Sequence, residues 1–234
     1  MISGLQKMTL LDFPGKVACT VFLHGCNYRC PFCHNSQLLG GVGEEFMTEE
    51  EFFAFLEKRK GLLDGVAVSG GEPTLYKRLP EMLAKIKAMG YAVKLDTNGS
   101  RPQTLKAVVE QGLVDYVAMD VKNGPEEYGQ TVGLQNFDLA ATEESLRYLI
   151  DGDVDYELRT TLVEPLHTEE SIEKMGRWLG SLVPGKKPRR LFLQSFVDRD
   201  TVVFSGLCTP SEDTVSQYKE ILTQYVGEIA IRGR

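Results

Sequence analysis

An α/β fold, built as six βα units curved into a partial (β/α)6 barrel, is the architecture this chain predicts, and three observations lead to it. Short apolar, β-rich runs alternate with longer amphipathic ones, the pattern of parallel strands joined by crossover helices. The residues with chemical potential fall at the carboxyl ends of successive runs, where α/β barrels place their sites. No Ser- or Pro-rich linker, low-complexity tract or tandem repeat divides the 234 residues, so residues 1–234 read as one domain.

Taken in order, the first strand is expected at Val17–His24, a β-rich run containing Cys19 and Thr20. A helix opens at Thr48, where Glu51 three residues later completes a capping box, and Phe52, Phe55, Leu56 and Leu63 mark its buried face. The carboxylates of Glu49–Glu51 suit that helix start. Strands then follow at Gly65–Ser69, Tyr91–Thr97, Tyr116–Val121, Tyr156–Val163 and Leu191–Phe196. The helices between and after them are expected at Leu79–Met89, Thr104–Gln111, Thr142–Ile150, Glu169–Leu182 and Glu212–Tyr225. Asp151–Asp155 reads as a polar turn, and Lys186-Lys187-Pro188-Arg189-Arg190 as a solvated loop.

Composition sets the outer bounds. Hydrophobic residues make up 42% and charged residues 25%, which excludes a disordered or collagen-like chain. The longest apolar stretch is far below the ~20 residues of a membrane span, and Met1–Leu10 lacks the features of a signal peptide. A cytoplasmic protein with reduced cysteines and no membrane partner is therefore expected. With 26 Lys and Arg against 33 Asp and Glu, the net charge of −7 opposes binding to phosphate backbones, so no nucleic-acid partner is expected.

Cys26, Cys30 and Cys33 lie in His24-Gly-Cys26-Asn-Tyr-Arg-Cys30-Pro-Phe32-Cys33-His34-Asn35, directly after the first strand. Offsets of 0, 4 and 7 also describe a helix face, but Gly25 and Pro31 oppose it, proline inside a helix costing about 3 kcal/mol. Two metal readings stand: a zinc site completed by His24 or His34, and an iron–sulfur cluster, which three soft thiolates on a loop favour. Three thiolates leave the fourth iron of a [4Fe–4S] cube open for chemistry. Cys19, inside a strand, reads as a small buried hydrophobe, and Cys208 as incidental.

Further on, Ser69-Gly70-Gly71-Glu72-Pro73 follows the second strand, its adjacent glycines suited to close approach of a ligand and Glu72 to accepting hydrogen bonds from an ammonium group. Asp96-Thr97-Asn98-Gly99 ends the third strand and Met119-Asp120-Val121-Lys122 the fourth. Taken singly these two read as a polar turn and a solvated strand end.

The Cys-x3-Cys-x2-Cys spacing with an aromatic before the last Cys resembles the radical S-adenosylmethionine (SAM) enzymes, and the strand-end motifs together resemble the activating enzymes of glycyl-radical proteins. The resemblance implies the barrel of the radical SAM type, a [4Fe–4S] cluster on Cys26, Cys30 and Cys33, and SAM on its open iron. It implies that Phe32 contacts adenine, that Gly70, Gly71 and Glu72 receive the SAM amino group, and that Lys122 meets the carboxylate. It further implies that Asp96, Thr97, Asn98 and Asp120 border SAM, that Asp96, Thr97 and Asp120 can hold a monovalent cation beside it, and that Arg159 adds a fixed charge. One position departs: Leu193-Gln194-Ser195-Phe196-Val197 has no histidine for a ribose contact, which leaves Gln194 as the weak candidate.

The opening Thr9-Leu10-Leu11-Asp12-Phe13-Pro14-Gly15-Lys16 is similar to that of activating proteins for anaerobic ribonucleoside-triphosphate reductase. The implied function is generation of a glycyl radical on a partner enzyme, with an electron donor such as flavodoxin or ferredoxin. The alternative is radical SAM chemistry on a small molecule such as a modified-base precursor, and a third reading, a non-catalytic electron carrier, leaves the strand-end motifs unexplained.

Overall fold

The computed structural model describes residues 1–40, 45–202 and 204–232. The chain forms two compact units, the first from residues 1–27, 37–97 and 103–118, the second from 28–36, 98–102 and 119 onward.

In the first unit, β1 (Ile2–Thr9), β2 (Ala18–Leu23), β3 (Gly65–Gly70) and β4 (Ala92–Thr97) lie side by side in chain order. β1 runs antiparallel to β2, and β2, β3 and β4 run parallel, with Ala18 opposite Gly65 and Gly65 opposite Ala92. Val66, Ala67 and Val68 of β3 are all fully buried, as parallel strands covered on both faces require. Along β4, Val93 and Leu95 alternate with Lys94 and Asp96, so apolar residues take one face and charged residues the other.

The helices of this unit are α1 (Glu49–Glu57), α2 (Leu79–Ala88) and α3 (Pro102–Glu110), of which α3 has its first residue in the second unit. The expected capping box is present: Glu51 N–H donates to Thr48 Oγ1 at 3.2 Å and Thr48 N–H to Glu51 Oε2 at 2.9 Å. α1 ends sooner than expected, at Glu57. Leu63 reaches the core from the following turn, which Gly61 reverses with a φ of 77°.

β5 (Tyr116–Asp120) begins in the first unit and ends in the second with Met119 and Asp120. The second unit continues with α4 (Tyr128–Thr131), α5 (Ala140–Asp151), β6 (Asp155–Leu162), α6 (Glu169–Ser181), β7 (Arg190–Ser195), α7 (Glu212–Leu222) and β8 (Glu228–Arg232). β6, β7 and β8 are parallel. Thr168 caps α6, whose Ile172, Met175 and Leu179 are fully buried. Lys186 of the basic loop pairs with Asp151 at 2.6 Å and Lys187 donates to the Gln224 carbonyl, so both cations serve the fold at its surface.

On the polar face of β6, Glu157 is fully buried and takes a two-point ion pair from Arg232 of β8, at 2.7 and 2.8 Å. The guanidinium also lies over the Phe192 ring, 3.3 Å from its centre. The fold is α/β, with β2, β3 and β4 parallel in the first unit, β6, β7 and β8 parallel in the second, and β1 antiparallel to its neighbour. All six expected strands form; β1 and β8 are additions, as is the four-residue α4. No helix among the described residues is long and apolar enough to cross a membrane.

Candidate active site

The cysteine loop leaves β2 through His24 and Gly25, the latter at a φ of 96°. Its first part is fixed to the turn after β3: Gly71 N–H donates to the Leu23 carbonyl at 3.0 Å and Glu72 N–H to the Gly25 carbonyl at 2.7 Å. Gly70 has a φ of 129°, and a Cβ there would collide with the Leu23 backbone; one on Gly71 would collide with the Gly25 carbonyl and touch Cys26. The paired glycines therefore admit the backbone of the cysteine loop.

Glu72 is 1% exposed, and its Oε1 accepts from the Thr74 N–H at 3.1 Å and from the Thr97 hydroxyl at 2.8 Å. The carboxylate caps the short 3-10 turn Pro73–Leu75 and ties the end of β3 to the end of β4. Asp96, next to Thr97, receives the Lys94 ammonium at 2.6 Å.

In the second unit, Tyr28 sets the next part of the loop. Its ring packs edge-on against Phe137, 5.6 Å between centres, and the neighbouring Arg29 N–H donates to the Val132 carbonyl at 2.8 Å. Cys33 N–H closes a turn onto the Cys30 carbonyl at 3.1 Å. Phe32 is 5% exposed and packs with Val163 and Phe196, so the ring expected at adenine belongs to an apolar cluster that Cys30 also touches. His34 stacks on Phe196 and bonds through Nε2 to the Val197 carbonyl at 2.8 Å, which removes that nitrogen as a zinc ligand. Both buried ring nitrogens of His24 lack a hydrogen-bond partner.

Asp120 at the end of β5 is bracketed by two cations, Lys122 Nζ and Arg159 Nε, each at 2.9 Å. Burial works to raise the Asp120 pKa, but the guanidinium and the ammonium outweigh it and hold the carboxyl at about 2. Burial would lower the Lys122 pKa, yet Asp120 and the Cys30 sulfur raise it overall, so the lysine stays charged. The triad thus carries one net positive charge. Burial pushes the Cys33 thiol up, with a backbone N–H at Asn35 and the Lys122 ammonium acting against it.

Asn98 is 5% exposed and accepts from Ser100 N–H at 2.9 Å, forming a tight polar turn. Gln194 lies in β7 opposite Thr161. Two residues outside the sequence motifs join these groups: Lys94, and His167, whose ring bonds to the Lys122 carbonyl at 2.8 Å. Period-2 alternation along β4 marks Lys94 as sharing a face with Asp96; nothing local marks His167.

Cys26, Cys30 and Cys33 form no disulfide and are partly exposed, a soft donor set on a braced loop that fits an iron–sulfur cube. Among the described residues no three His, Cys, Asp or Glu side chains are grouped as a ready-made site for a single metal ion. The carboxylates expected to hold a monovalent cation already carry cations of the chain: Lys94 lies on Asp96, and Lys122 and Arg159 lie on Asp120.

Residues 20–179 match the radical SAM superfamily. A relative from Methanocaldococcus jannaschii, named as a glycyl-radical enzyme activating enzyme, is 31% identical over 99% of this chain and 95% of its own. A 7-carboxy-7-deazaguanine synthase from Koribacter versatilis is 34% identical over 62% of each chain. The crystal structure of a domain of pyruvate-formate lyase-activating enzyme from Bacteroides vulgatus superposes with a TM-score of 0.58 at 25% identity, covering 72% of this chain and 99% of that one. With the cysteine loop, its glycine brace and the cationic strand ends in place, the chain belongs to the radical SAM superfamily and, within it, to the activating enzymes of glycyl-radical enzymes.

Proposed function

We propose that the partner of this activating enzyme is an anaerobic ribonucleotide reductase, and that residues 1–234 act on it as one radical SAM domain in the cytoplasm. The end-to-end likeness to an activating enzyme carries the reaction class. The partner rests on the Thr9–Lys16 stretch and on a chain with only two cysteines beyond the trio, too few for an inserted ferredoxin-like domain.

When bound, a [4Fe–4S] cluster and SAM would supply the one-electron chemistry that removes a hydrogen atom from a glycine Cα. The chain's own residues bind and orient. Cys26, Cys30 and Cys33 hold three irons as thiolates, the metal displacing each thiol proton. Glu72, Gly70 and Gly71 take the SAM amino group. Lys122 and Arg159 take its carboxylate, since their shared Asp120 leaves them one positive charge in excess and holds both in position. Phe32 supports adenine, and Asp96, Thr97 and Asn98 border the cofactor. A low-potential donor such as flavodoxin or ferredoxin delivers the electron.

The test is anaerobic incubation of the reduced, cluster-loaded enzyme with SAM and the reductase. A doublet glycyl-radical signal by electron paramagnetic resonance is expected, with deuterium moving from the labelled glycine Cα into 5′-deoxyadenosine. The shorter match to a deazaguanine synthase favours a second reading, chemistry on a small base precursor. Transfer from a labelled metabolite with no protein partner present would establish that reading instead.

A further inference from the structure

Lys94 is an unusual residue for its place. It sits in the middle of a parallel strand, 2% exposed, where β-branched apolar side chains are the common choice. A buried ammonium is costly unless it is paired and hydrogen-bonded. Its partner lies two residues on along the same face of β4: Asp96 Oδ1, at 2.6 Å. Both carboxylates expected to hold a monovalent ion are thus served by cations of the chain itself, Asp96 by Lys94 and Asp120 by Lys122 and Arg159.

An ammonium group is close to a potassium ion in charge and size. Where it lies against a carboxylate oxygen, a second cation at that oxygen would meet a like charge at contact distance. We infer that Lys94 is the resident cation of this site: its ammonium fills the place at Asp96 that a dissolved monovalent ion would otherwise take. Lys94 is a positioning residue acting through Asp96. SAM binding consequently depends little on which monovalent salt is present.

The inference rests on the assignment of Asp96 to the SAM-binding strand ends, and one titration separates the two. SAM is titrated calorimetrically into the cluster-loaded protein in sodium, potassium or tetramethylammonium chloride at equal ionic strength. The wild type is expected to give the same affinity, within about twofold, in all three. Lys94→Met should bind SAM at least about tenfold more weakly in tetramethylammonium and recover in potassium or sodium. Removing both charges, in K94M/D96N, should abolish that recovery. A wild-type affinity that rises about tenfold with potassium overturns the inference alone, and does so even if Lys94→Met fails to fold. No SAM binding by the wild type in any salt overturns the assignment of the strand ends as well.

Discussion

The His167 ring donates through Nε2 to the Lys122 carbonyl oxygen at 2.8 Å, tying the residue assigned to the SAM carboxylate to the turn after β6. A carbonyl only accepts, so Nε2 carries the proton, while Nδ1 lies 3.1 Å from the Val163 nitrogen and 3.2 Å from the Val163 carbonyl oxygen. The same turn is held by Asn123 Nδ2 donating to the Leu166 carbonyl at 2.7 Å and by the Tyr218 hydroxyl donating to the His167 carbonyl at 3.0 Å.

Burial lowers the His167 pKa, against the pull of its two backbone partners, Lys122 and Val163. A histidine depressed below its unfolded value of about 6.5 stabilises the fold above that pH and loses the contribution as pH falls through it. Chemical denaturation between pH 7.5 and 5 should show a loss of stability that His167→Gln lacks. At pH 7.5, His167→Ala should cost roughly 1–3 kcal/mol, because the Lys122 carbonyl loses its donor.

Asp120 obeys the corresponding rule for a depressed carboxylate. With its pKa held at about 2, it contributes stability above its unfolded value of about 3.9 and loses it as pH falls toward 2. Replacing Arg159 by Met removes a lowering charge, so acid unfolding followed by circular dichroism should begin at higher pH than in the wild type. The same variant should weaken SAM binding about 10–100-fold, the equivalent of a lost charge-assisted bond.

Gly71→Ala places a methyl group in the Gly25 carbonyl and should move Cys26, which iron analysis after anaerobic reconstitution would register as well under the expected four irons per chain. Gly180→Ala serves as the control. Its new Cβ meets Tyr225 at an ordinary 3.4 Å inside α6, so iron content should hold while stability rises by up to about 1 kcal/mol.

The five cysteines should separate by reactivity and by metal loss. Replacing Cys26, Cys30 or Cys33 by Ala should abolish the cluster, while Cys19→Ala and Cys208→Ala should keep it. In the metal-free, reduced protein at pH 8, iodoacetamide should label exposed Cys208 and spare Cys19, whose thiol burial pushes up to about 12. Mass spectrometry of tryptic peptides reads both.

Much of the fold was legible because its strands are covered on both faces and read as apolar β-rich runs, as Val66–Val68 do. β1 was not, because Gln6 to Met8 within it are exposed and carry no apolar pattern; β8 is short, with only Ile229 buried among its five residues. Residue types at the site were readable from spacing, but their partners were not. Gly70 and Gly71 look alike in sequence whether a ligand or a neighbouring backbone needs the space. Asp96 and Thr97 announce oxygen donors, while the use of one by Lys94 and the other by Glu72 depends on strand register and turn packing. His167 acts from 45 residues beyond Lys122, a distance no local motif spans.

The buried pair between Glu157 and Arg232 joins β6 to β8 across 75 residues of sequence. Removing one member of such a pair strands the other charge in a dry surrounding, so β8 is fastened to its unit by more than its backbone ladder with β7. Loss of that strand would cost the unit both the ladder and a two-point partner of a fully buried carboxylate.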